Sequence, residues 1–204
     1  MSDLQFYAST PQPAERVTGG LDRSHGSAGV TVRQPAGLSL TLVTARNGTR
    51  QDCIGRLRAV FDVEAPAAAK ASQGVGLSLV WAGPESWLAV ASGRPTLESE
   101  LKAALGDAAS IVDVSDARLM LRISGPKARA ALAKGLSIDL HPRVFVTGDT
   151  AMTLLAHVPV QLWQVDETPT FDLAVPRATA RDVFHWLIVS AEEFGVEIIS
   201  ESKS

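Results

Sequence analysis

A chain of 204 residues, 46% hydrophobic and 20% charged, has the size and balance of one folded domain and not of a disordered chain. A net charge of −3 with no basic run gives no electrostatic reason to hold a phosphate backbone, so no nucleic-acid partner is expected. No apolar stretch approaches the roughly 20 residues of a membrane span, and one cysteine excludes an internal disulfide and a cysteine-built zinc site, which fits the cytoplasm.

Residues 1–29 carry Pro11, Pro13, Gly19, Gly20, Gly26 and Gly29 and no apolar period. They read as an extended or partly disordered arm, lying free or along a partner. The first residues also lack the basic and apolar regions of a secretory signal. "LSLTLVTA" (38–45) is a strand, and "RQDCIGRLRAVF" (50–61) is a helix whose apolar stripe is Cys53, Ile54, Leu57, Val60 and Phe61. Residues 65–76 form a low-complexity loop. A hairpin over 77–92 turns at Gly83-Pro84, and a helix over 95–105 ends at Gly106.

The order then repeats. "SIVDVS" and "ARLMLRIS" form a hairpin across Ser115-Asp116, and "PKARAALAK" is a short helix between Gly125 and Gly135. Strands follow over 151–165 and 170–176, and the last helix, 180–194, is capped by Thr179. Trp81 followed by Leu88-Ala89-Val90 matches Trp163 followed by Leu173-Ala174-Val175. The predicted fold is therefore α+β: duplicated β-α-β-β-α (ferredoxin-like) halves, about 30–107 and 108–199, with antiparallel sheets.

Catalytic signatures are missing from the sequence: no nucleophile elbow, metal-binding His pair or phosphate loop occurs. Cys53 sits on an apolar stripe, where a thiol stays protonated. His157 and His185 read as core-edge residues, and His25 falls in the arm. Asp166 and Glu167 flank a turn as solvated charges. No catalytic, cofactor or metal residue is assigned.

"DVSDARLMLRISGPKARAALAKG" (113–135) and "LWQVDETPTFDLAVPRATARDVFHWLIVSAEEFG" (162–195) resemble the folate-binding domain of the glycine-cleavage T-protein. That resemblance implies a folate pocket, but the strand 76–80 lacks the family's acid and the turn after Gln161 lacks its Tyr-Thr-Gly-Glu. Asp172 alone can stand in for the pteridine-contacting carboxylate, as a vestigial folate-site residue. "AKGLSIDLHPRVF", "LLAHVPVQLWQVDETPTFDLAVPR" and "ARDVFHWL" further resemble the gamma subunit family of heterotetrameric sarcosine oxidase. The resemblance implies a non-catalytic accessory chain with alpha, beta and delta subunits as partners. It binds no cofactor alone, while FAD, FMN, NAD and tetrahydrofolate belong to the complex. The alternative is a stand-alone folate-binding or one-carbon-transfer protein.

In "KGLSIDLHPRVF" (134–145), Pro142 biases His141 toward extended backbone. Asp139, His141 and Arg143 then alternate along a polar docking loop or internal brace; an intramolecular tether through an Asp–Arg or His–backbone bond fits equally. Trp186, beside the inner stripe of the last helix, is an interface candidate or a second core layer.

Overall fold

The computed structural model describes residues 15–20 and 28–200. Two sheets pack face to face and carry helices on their outer faces. Sheet B runs in the order β4 (Ala71–Gln73), β5 (Ser78–Gly83), β6 (Ser86–Ser92), β3 (Leu38–Ala45), β7 (Ala109–Asp113). Sheet A runs β1 (Glu15–Gly20), β12 (Phe194–Ser200), β2 (Val30–Gln34), β8 (Arg118–Ser124), β11 (Thr170–Pro176), β10 (Val158–Asp166), β9 (Thr150–Leu155). Pairings are antiparallel except for β12 beside β2, which is parallel.

The helices are α1 (Arg50–Phe61), α2 (Leu97–Leu105), α3 (Ala128–Ala133) and α4 (Ala180–Ala191). Each long helix buries one side chain per turn: Cys53, Leu57 and Phe61 in α1, Leu97, Leu101 and Leu105 in α2, Val183, Leu187 and Ala191 in α4. The first two close a core against sheet B, while α3 and α4 close another against sheet A. A third, between the sheets, joins Leu40, Val80 and Leu88 to Met120, Trp163 and Ala174. In β8 the two-residue period is clean: Leu119, Leu121 and Ile123 face the helices, and Met120 faces sheet B.

Several expectations need correction. The strands around Ser115-Asp116 do not pair with each other: β7 joins β3 in sheet B, and β8 joins β2 and β11 in sheet A. That segment crosses between sheets, and β2 likewise lies in the sheet opposite β3. The stretch 151–165 is two strands, broken where Ala156 and His157 take positive φ values of 48° and 72°. His157 is exposed in that turn, and His185 is exposed on α4, so neither borders the core. The last helix stops at Ala191; Phe194 starts β12, a strand the Phe194-Gly195 ending concealed. Thr179 makes no cap bond; its hydroxyl donates to the Pro176 carbonyl at 3.3 Å. Ala71–Gln73, inside the expected loop, is β4. Within the expected arm, Glu15–Gly20 is β1, paired with β12; residues 1–14 and 21–27, His25 included, lie outside the described residues.

Candidate functional site

The register of sheet A lines up one row across its inner face. Arg33 in β2 lies opposite Arg122 in β8, which lies opposite Asp172 in β11; Trp163 in β10 and Thr150 in β9 continue the row. Above this row, the residues 73–78 segment and β6 of sheet B wall a cleft of about 410 Å³. Asp172 is the acid on its floor and is 6% exposed. Arg122 grips it through two nitrogens, Nε to Oδ1 and Nη2 to Oδ2, each at 2.7 Å. This fork-to-fork geometry is the strong form of a carboxylate pair. Both oxygens of Asp172 are thus engaged by an arginine directly across the sheet.

The second assembly is the loop after α3. Gly135 passes against the indole of Trp186; a Cβ there would overlap the ring. Trp186 is half-buried and packs on the helix-side core of sheet A. Asp139 Oδ1 accepts the His141 N–H at 2.7 Å, and His141 Nδ1 accepts the Arg143 N–H at 3.2 Å. The His141 carbonyl accepts from Val144 and Phe145 at 2.8 and 2.9 Å. Leu140 and Phe145 are buried, while Asp139, His141 and Arg143 are exposed. The side chains of Asp139 and His141 therefore fold the loop back on its own backbone, the His–backbone form of tether.

A residue that sequence reasoning passed over holds this loop down. Arg129 of α3 donates to the carbonyl of Leu140, to that of Phe145 at 3.1 Å, and to Gln164 Oε1 at 2.7 Å. Its guanidinium stacks over Phe171 with 5.1 Å to the ring centre. Burial pushes its pKa down, with partial compensation from Glu167. The available signal was a lone arginine among alanines, beside the buried Ala128, Ala131 and Leu132 stripe. Asp149 ties the far end, accepting the Val146 N–H at 2.9 Å and pairing with Lys70.

The remaining sequence candidates are structural. Asp166 Oδ1 accepts from the Thr168 and Thr170 N–H groups at 2.9 and 3.1 Å, closing the acidic turn. Burial alone would raise its pKa, but bonds from Thr168 and Thr170 prevail and lower it. Cys53 is buried in the α1 core, and burial first, then the Asp52 charge, raise its thiol pKa. Trp87 and Trp163 are interior, with Trp87 Nε1 donating to the Pro66 carbonyl at 3.0 Å. Among the described residues, no group of His, Cys, Asp and Glu is arranged to hold a metal, and no helix is long and apolar enough to cross a membrane.

The model of the sarcosine oxidase, gamma subunit family matches residues 54–193. The sarcosine oxidase subunit gamma of Corynebacterium sp. (strain P-1) is 39% identical over 127 residues, 61% of this chain and 62% of that protein. The chain thus spans about three fifths of that relative's length. The counterpart from Corynebacterium sp. (strain U-96) is 36% identical over 154 residues, 68% of this chain and 74% of that protein. Among solved structures, the heterotetrameric sarcosine oxidase from Corynebacterium sp. U-96 contains a similar chain, with TM-score 0.75 and 31% identity over 83% of this chain and 87% of that one. The glycine cleavage system aminomethyltransferase T from Bartonella henselae shares the fold, with TM-score 0.62 and 16% identity over 84% of this chain and 48% of that one.

Proposed function

This chain belongs to the sarcosine oxidase gamma subunit family, and we propose that it is a non-catalytic accessory subunit of a heterotetrameric, flavin-dependent sarcosine oxidase. In this reading the alpha, beta and delta subunits are its partners in the cytoplasm. They hold FAD, FMN, NAD and tetrahydrofolate, and carry out the oxidation of sarcosine to glycine, hydrogen peroxide and methylene-tetrahydrofolate. The observation that carries the reading is the bidentate Arg122–Asp172 pair. The carboxylate best placed to orient a pterin is spent on an arginine of its own sheet, and a second bidentate partner would have to break that grip. Asp139 and His141 likewise serve the loop that carries them.

The cleft of about 410 Å³ over Asp172 and Trp163 favours one rival, a stand-alone folate-binding or one-carbon-transfer protein, because its size falls in the ligand-pocket range. Titrating tetrahydrofolate into the lone chain while following tryptophan emission separates the two, since Trp163 lines the cleft. The accessory reading expects no saturable change. Saturable micromolar quenching that disappears in Asp172→Ala would establish the rival.

A further inference from the structure

Next to Trp81 of β5, whose carbonyl Gln161 bonds, part of the inner face of sheet A lies open. There Arg118, Met152, Leu154, Pro159, Gln161 and Pro176 line an open notch of about 480 Å³. Register puts Arg118 opposite Pro176, Met152 opposite Gln161 and Leu154 opposite Pro159. Gln161 marks the rim, donating to the Trp81 carbonyl at 2.9 Å, and its Oε1 accepts from Arg118 at 3.0 Å. Met152 and Leu154 are 54% and 45% exposed, so two large apolar side chains face water next to a half-buried guanidinium.

Three arginines of this fold each hold a carboxylate, and Arg129, without one, spends its donors on three acceptors. Arg122 has Asp172, Arg56 has Asp52 and Arg94 has Glu100. Arg118 has only the neutral Gln161 amide, and among the described residues no carboxylate pairs with it. Burial pushes its pKa down with no acid to counter it. A desolvated cation beside apolar surface is complementary to an anion that arrives with its own apolar cover. A notch with lining this exposed does not enclose a small molecule, which normally loses most of its surface on binding. A protein segment supplies both the acid and the cover.

We propose that this notch is a docking socket for a segment of another subunit that places an Asp or Glu carboxylate on Arg118 and an apolar side chain against Met152 and Leu154. The inference rests on the accessory-subunit reading and names one of its contact surfaces. The test uses the chain co-expressed with the alpha, beta and delta subunits of its own organism, with a benzophenone photo-crosslinking side chain at position 152. Irradiation is expected to join it to an Asp- or Glu-containing peptide of another subunit.

Met152→Glu, at an exposed position that does not threaten folding, sets a carboxylate in the socket and is expected to weaken assembly at least about tenfold. Arg118→Ala is expected to do the same, and Arg118→Lys to restore part of the loss. A complex that forms normally with both variants, or that cross-links only within this chain, overturns the socket while leaving the accessory reading intact. Competition by millimolar succinate would reassign the notch to a free carboxylate and overturn the proposal. If the unaltered chain forms no complex, both readings fall together.

Discussion

Arg129 shows how one side chain fixes a loop. Its guanidinium serves the carbonyls of two buried residues, Leu140 and Phe145, and the buried Gln164 amide. Arg129→Ala leaves those acceptors without their donor, and each such loss costs about 1–3 kcal/mol. Partial exposure of the loop keeps the total near the low end, about 3 kcal/mol, or roughly 6 °C in melting temperature for a domain of this size. Urea denaturation with an unchanged slope and a lowered midpoint checks this; an unchanged midpoint would show the loop held by its buried Leu140 and Phe145 alone. Asp149 makes a pH-dependent contribution. Burial would raise its pKa from the ordinary 3.8, but Lys70 and the Val146 N–H prevail and lower it. Its stabilisation is therefore complete above about pH 4 and is lost as pH falls through the lowered folded value. The melting-temperature gap between the natural chain and Asp149→Asn should hold constant from neutrality to about pH 4 and close below it. A gap that widens in acid would contradict the assignment.

At the scale of elements, contacts between distant segments decide the architecture. Gly135 lets the loop after α3 lie flat on the Trp186 indole of α4. Gly135→Ala must push ring and loop apart, costing about 1–3 kcal/mol and changing the near-ultraviolet tryptophan dichroism. The Arg122–Asp172 pair joins two adjacent strands of sheet A. Asp172→Ala takes that carboxylate away from the guanidinium and should destabilise by about 2 kcal/mol, reduced by the partial exposure of Arg122. Arg122→Met with Asp172→Leu should recover most of that loss, because an apolar pair often replaces a buried ion pair at little cost. Failure of the double variant to recover would mark the pair as more than a structural clamp.

The same scale explains what was legible in the sequence. Leucines at every fourth position announce α2 without ambiguity, and the alternation of β8 announces a strand. Alternation does not name a strand's partner, so the two strands around Ser115-Asp116 looked like a hairpin although they enter different sheets. Ala156-His157 makes its tight turn without the Asn-Gly signal that positive φ normally favours. Arg122 and Asp172 stand 50 residues apart, and only the sheet register brings them opposite each other.

Over the whole molecule, two sheets share one strand order. The match covers four strands: β4-β5-β6-β3 in sheet B runs like β9-β10-β11-β8 in sheet A, after which β7 follows in sheet B and β2, then β12, in sheet A. Trp81 and Trp163 fall on the corresponding strands β5 and β10, and their Leu-Ala-Val runs fall on β6 and β11. The frame is one that aminomethyltransferase T also uses, and in this chain Asp172 is held by Arg122 of the same sheet. The most direct measurement is native mass spectrometry, with flavin absorbance, of this chain tagged and co-expressed with the alpha, beta and delta subunits. The expected result is a four-subunit complex carrying one copy of the chain, whose sarcosine-dependent peroxide formation per flavin is unchanged by Arg122→Met with Asp172→Leu. A lone colourless chain, or a complex whose turnover collapses in that folded double variant, would contradict the accessory role.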